Sequence, residues 1–358
     1  MQQIRLSNVL YHMQKIFFFI FVLTFLICCN NETGPDVSAI KIDIPMERFD
    51  QDFFKLDSNN LDTELPALQK KYPSLLPIFI ENILGLGAFS TDNPTILPGT
   101  KKYLAMNTAI FDSVKMLFKN VDPIQKDLEK AFQYVKYYFP DYPVSKAITL
   151  VGPIDAMAEL NGEYTPNFIG PDFIGISLQF YLGKNFSAYQ NEAFILNVAP
   201  QYRSRRFEKE YIVSDIMKLV ADDIYPDRSK GKTLVEQIIE KGKQWYLISQ
   251  FLPAKSDSLI TGYTKQQQDW SKENEGLIWN YLITNENLYT IEPVQIQTYI
   301  GESPYTQGMP ENSPGNIGPW IGLQIIKKFA AKNPSMSIKE LLNSDARKIL
   351  EYTKYKPK

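Results

Sequence analysis

The chain has 358 residues, 44% hydrophobic and 22% charged, with 38 basic and 40 acidic side chains. Such a composition is ordinary globular material and excludes a disordered chain, and its near-neutral charge leaves no electrostatic footprint for nucleic acid or an anionic membrane surface. His12 is the only histidine, and Cys28 and Cys29 are the only cysteines.

In chain order, Arg5 and Lys15 precede an apolar run, Ile16 to Ile27, that is short for a spanning helix and ends at the cysteines. Residues 1–28 read as a signal peptide. Leu26-Ile27-Cys28-Cys29 resembles a lipobox, with Leu at −3, a small residue at −1 and Cys29 as the lipidated residue; an uncleaved anchor helix is the alternative. Cleavage removes Arg5 and Lys15 from the 38 basic residues, leaving 36 against 40 acidic ones, and removes His12 as well. The mature chain then has neither an imidazole nor a cysteine beyond the acceptor. Internal disulfides, the usual zinc sites and His-dependent triads are excluded. Chemistry that survives this count would use paired carboxylates, Ser-Lys pairs, tyrosine, or an oxygen-ligated cation.

Residues 29–40 read as a lipidated tether and 41–358 as a single domain, helical over 41–140, with strands at about 146–182, and helical again over 205–358. Apolar residues at helical spacing mark 47–54, 61–71, 75–84, 101–119 and 123–139, with a polar loop over 90–98. Lys146–Val151 and Phe173–Phe180 are short, β-branched and flanked by Gly and Pro, as strands are. Glu210–Tyr225 then carries an apolar stripe wide enough for burial. Ser229-Lys230-Gly231-Lys232-Thr233 ends like a phosphate-binding loop, but Pro226 stands where its first glycine is needed, so it reads as a turn. Helices are expected at 234–251, 264–288 and 320–332, with an irregular passage over 303–319 and a closing helix before Lys358. The class is α+β, predominantly helical.

Blocks that carry a resemblance are MERFDQDFF, FIGISLQFYLG, YRSRRFEKEYIVSD, LVEQIIEKGKQWYL, GYTKQQQDWSKENEGLIWNYL, YIGESPYT, GPWIGLQIIKKF and the terminal YKPK. They resemble, in order and over nearly the whole mature chain, the GldB family of gliding-motility lipoproteins of Bacteroidetes. The resemblance implies a cell-envelope lipoprotein required for gliding, a motility tied to type IX secretion. It would be anchored through palmitate-type acylation, with the periplasm-facing side favoured and inner versus outer membrane left open. Its implied partners are other envelope proteins of that machinery.

A second resemblance is to predicted zinc peptidases of the zincin kind, which carry H-E-x-x-H on one helix, a third ligand on the next and a later G-x-x-x-G helix start. On that pattern Ser214 and Lys218 fall at the two histidine places, Asp215 at the general base and Lys241 at the third ligand, while Gly318-Pro-Trp-Ile-Gly322 matches the later block. A protonated lysine is no zinc ligand. The pattern implies a degenerate zincin-like core without metal, cofactor or catalytic residue, in which Lys241 pairs with Asp215 or Glu240; a plain core helix gives the same spacing. A non-catalytic, protein-binding envelope component is therefore expected, its cleft lined by Glu240, Trp245, Trp270, Trp279 and Trp320, although these tryptophans could equally be core. The alternative is a hydrolase of envelope material such as cell-wall glycan, using two facing carboxylates.

Overall fold

A small sheet divides two hydrophobic cores. The computed structural model describes residues 34–90, 92–160, 163–285 and 288–357, so the expected signal segment and Cys29 lie outside the described residues. The expected tether is shorter than 29–40, because Val37 is already buried, at 1% exposure, and residues from Val37 onward form one unit.

Strands β1 (Met46–Arg48) and β2 (Lys146–Leu150) pair in parallel, Glu47 opposite Ile148. A hairpin of β3 (Ala158–Leu160) and β4 (Glu163–Thr165) follows, then the edge strand β5 (Asn167–Ile169) and β6 (Phe173–Ser177). The sheet order is β1-β2-β6-β5, with β6 parallel to β2 and antiparallel to β5. Alternation along β2 sends Ile148 and Leu150 to one face, where they join Phe49, Phe79 and Phe173; Ala147, Val151, Ile174 and Ile176 join the helical core on the other. Both faces are covered, as parallel strands require.

The longest helices among the described residues are α1 (Ile96–Leu117), α2 (Asp122–Tyr138), α3 (Ile212–Ile224), α4 (Leu234–Phe251) and α5 (Ile317–Lys332), of which α3, α4 and α5 contribute to the site. The class is α+β and predominantly helical, as the periodicity predicts. Helix α1 begins at Ile96, ahead of the expected 101, because Pro98 is tolerated in a first turn. The expected 264–288 helix is two, Lys265–Glu273 and Glu275–Asn285, interrupted at Asn274, whose side chain turns back to the Trp270 carbonyl. Residues 75–84 change from α to π winding at Phe79.

Helix α4 begins at the Ser229–Thr233 turn. Thr233 and Glu236 form a reciprocal capping box there, so the lookalike phosphate loop serves as a helix start. Helices α4 and α5 cross at backbone contact distance: a Cβ on Gly322 would overlap the Ile238 carbonyl and stand 3.1 Å from Gly242 Cα. Gly318, one turn earlier, has Ile238 and the Tyr299 carbonyl at 3.0 Å from the same hypothetical atom. The glycines of the E-K-G and G-x-x-x-G blocks are thus needed for helix packing. At the C terminus Tyr355 lays its ring edge-on to Trp279 and donates to Glu275 at 2.5 Å, which ties the closing segment down.

Candidate functional site

Helix α3 presents Asp215, Lys218, Leu219 and Asp222 along one face, and α4 presents Lys241, Gln244, Trp245 and Ile248 at the same i, i+3, i+4, i+7 spacing. Between these faces lies a cleft of about 200 Å³. Tyr164, Thr165 and Pro166, at the end of the β3–β4 hairpin, form one wall; Arg203, Arg206 and Glu302 close another. Asn316 and Pro319 come from the start of α5.

Each cation lining the cleft has a carboxylate partner. Lys218 Nζ donates to Asp215 Oδ1 at 2.8 Å, and the other oxygen of Asp215 accepts from the Tyr181 hydroxyl at 3.1 Å. Tyr181 in turn accepts from Asn167 Nδ2 at 2.7 Å. Burial, then the Asp215 charge, pushes the Tyr181 phenol well above its ordinary value, so it stays a proton donor. Arg203 reaches Glu302 through Nε at 2.9 Å and a terminal nitrogen at 2.6 Å, and Arg206 donates to the other oxygen of the same carboxylate. Burial pushes the Glu302 carboxyl up, but Arg206 and Arg203 outweigh it and hold it below the usual range.

Lys241 stands 2.9 Å from Asp227, not from Asp215 or Glu240 as expected. Glu240 faces away from the cleft because successive helical residues point about 100° apart. There, buried at 4% exposure, it accepts from Tyr225 at 2.8 Å, Lys232 at 2.9 Å and Lys243 at 3.2 Å. Ser214 is also outside the lining: it is buried and its hydroxyl donates to the Tyr211 carbonyl at 2.9 Å, within its own helix start. Of the tryptophans expected in the cleft, only Trp245 lines it, set edge-on against Tyr263. Trp279 and Trp320 are buried in the helical core and Trp270 is half-buried against it.

Three of the four places matched to a zinc peptidase, Asp215, Lys218 and Lys241, therefore do line one cleft. Among the described residues no group of three His, Cys, Asp or Glu is placed to hold a metal ion. The functional-site candidates that residue patterns missed are Arg203, Arg206 and Glu302. Their signal was present in the blocks YRSRRFEKEYIVSD and YIGESPYT, which the fold brings together 99 residues apart at the Arg203–Glu302 pair. A family model described as gliding motility protein GldB matches residues 30–357. The chain belongs to the GldB family. Membership ties it to gliding motility, and the matched range contains every residue of the cleft. No curated protein and no solved structure matches the chain. Among the described residues of this GldB-family chain, no helix is long and apolar enough to cross a membrane.

The Lys241–Asp227 pair makes a pH-dependent prediction. Burial pushes the Asp227 carboxyl up, while Lys241 and the Ser229 hydroxyl and amide outweigh it, so its folded value lies below the unfolded one. The stabilisation is then present at neutral pH and lost as pH falls through the depressed value. Lys241→Met is expected to cost about 1–2 kcal/mol at neutral pH, with the gap to the parent closing in acid. Urea titrations at several pH values measure this, and a gap that does not change with pH would show the pair to be uncoupled.

Proposed function

We propose that the protein is a lipid-anchored envelope component of the gliding and type IX secretion machinery that binds a polypeptide in the α3–α4 cleft and performs no catalysis. The observation that carries this reading is the pairing of both cleft lysines, Lys218 with Asp215 and Lys241 with Asp227, where the zinc-peptidase pattern would put metal ligands. Each ammonium takes a local acid as its partner, so the cleft keeps its shape without a cation. Trp245, Ile248 and Pro319 give it an apolar surface for side chains to lie against.

The hydrolase reading finds less support. A carboxylate acting as general acid needs a raised pKa, whereas Glu302 is held low by two arginines and Asp215 is engaged by Lys218 and Tyr181. Anchoring rests on Cys29 and on the membrane affinity that acyl chains supply.

Gliding of cells expressing variants from the native locus tests the proposal. Gln244→Trp, which puts bulk into the cleft from a half-buried wall position, is expected to abolish gliding while the purified protein melts within a few degrees of the parent. Cys29→Ala is expected to abolish palmitate labelling and release the protein from membranes. Normal gliding by a stable Gln244→Trp protein would remove the cleft from the function, and labelling that survives Cys29→Ala would move the acylation site.

A further inference from the structure

Asp222 also lines the cleft and accepts from Gln244, so any excess of positive charge is local to the Arg203–Arg206 end. Lys218 and Lys241 each have an acid of their own, but Arg203 and Arg206 share the single carboxylate of Glu302. Behind them a smaller hollow shares Arg206 and Glu302 with the cleft and is lined by Arg205. Arg205 donates to the Gly262 carbonyl and to Gln267 Oε1, both at 2.9 Å and both neutral. Two guanidiniums of one short segment thus share one carboxylate, with the third close by on neutral partners. Burial and the neighbouring Arg206 charge hold the Arg205 guanidinium below its ordinary value; on Arg206 burial acts the same way but is outweighed by the charges of Glu302 and Asp215. Arginine forks match carboxylates bidentately, and among the described residues Arg203 and Arg206 have N–H groups beyond those given to Glu302.

The same lining includes the apolar side chains of Trp245, Ile248, Ile260 and Phe207. At about 200 Å³ the cleft is smaller than the roughly 300–1,000 Å³ of most small-molecule sites. It suits a few side chains of a segment laid across it. We infer that the occupant is an acidic peptide segment of another protein, with a Glu or Asp side chain against Arg203 and Arg206 and an adjacent apolar side chain against Trp245. This inference rests on the reading of the cleft as a polypeptide site, which it makes more specific.

The test uses purified residues 30–358 and three acetylated, amidated hexapeptide pools, random except for a central Leu-Glu, Leu-Gln or Leu-Lys, with binding read by calorimetry. The Leu-Glu pool is expected to bind about tenfold more tightly than Leu-Gln, with the preference shrinking as salt is raised. Trp245→Ala should weaken both pools, while Arg203→Gln should remove only the preference. Equal binding of Glu and Gln pools, both weakened by Trp245→Ala, would overturn the acidic specificity and leave the polypeptide site standing. Binding of no pool would overturn both. Inorganic phosphate competing as well as the Leu-Glu pool, with no effect of Trp245→Ala, would overturn the peptide in favour of a free anion.

Discussion

Gly322→Ala is expected to destabilise the fold by about 3 kcal/mol or more, at or beyond the upper end of overpacking effects, and to reduce soluble yield sharply. The added methyl would fall on the Ile238 carbonyl and within 3.1 Å of Gly242 Cα, both of them helix backbone, so no side chain can rotate away. Relief requires α4 and α5 to separate, and their faces carry much of the helical core, including Ile238, Ile239, Ile321 and Ile325. Gly318→Ala is the graded comparison. Its methyl meets a side-chain atom and a carbonyl at 3.0 Å, contacts that a few tenths of an ångström relieve, so about 1–2 kcal/mol is expected. Denaturant midpoints of the two variants check the ordering. Equal, small losses would mean that the crossing is looser than described and that the glycines are not there for packing.

The same crossing shows how a sequence pattern can be legible for one reason and meaningful for another. Gly242 and the Gly318-x-x-x-Gly322 spacing suggested a peptidase-like order of elements, and they do bring α4 and α5 together beside the cleft. What they encode locally is close approach of two helices. Long amphipathic segments such as 123–139, 212–224 and 234–251 were legible because burial on one face writes a 3.6-residue period into the chain. The buried strands β2 and β6 were legible from β-branched runs between breakers. Strands β1 and β5, three residues each, were not, because a period of two cannot be established in three residues and their pairing partners lie about 100 residues away or across a short turn.

The site was legible in part for an equally physical reason. Asp215, Lys218, Lys241 and Trp245 line the cleft because helical spacing sets which residues share a face. Spacing does not set where that face points, which is why Glu240 was placed beside Lys241's cleft although it belongs to the buried cluster with Tyr225 and Lys243. Nor could spacing reveal a contact such as Arg203–Glu302, which depends on tertiary packing across 99 residues. A cluster of three arginines in four residues, 203–206, in a chain with no histidine after His12, was the available hint.

Glu302→Gln is expected to cost about 3–5 kcal/mol, a third or more of the stability of a typical domain, and to abolish gliding. The substitution keeps size and hydrogen-bonding shape but removes the carboxylate that Arg203 and Arg206 both hydrogen-bond, their side chains being 18% and 22% exposed. Those guanidiniums, with Arg205 nearby, would then repel one another in a place where water screens them poorly. Because the Glu302 carboxyl is held low by its arginines against the upward push of burial, the parent's advantage should be full at neutral pH and vanish as pH falls through that depressed value. Adding Arg206→Met to Glu302→Gln should recover part of the loss, since it removes a buried cation that no longer has a partner, and a coupling of about 2 kcal/mol is expected in the double-mutant cycle. Strict additivity of the two changes would show that the arginines and Glu302 are neighbours without being partners, and would take away the brace that joins the 201–207 segment to the approach of α5 across the cleft.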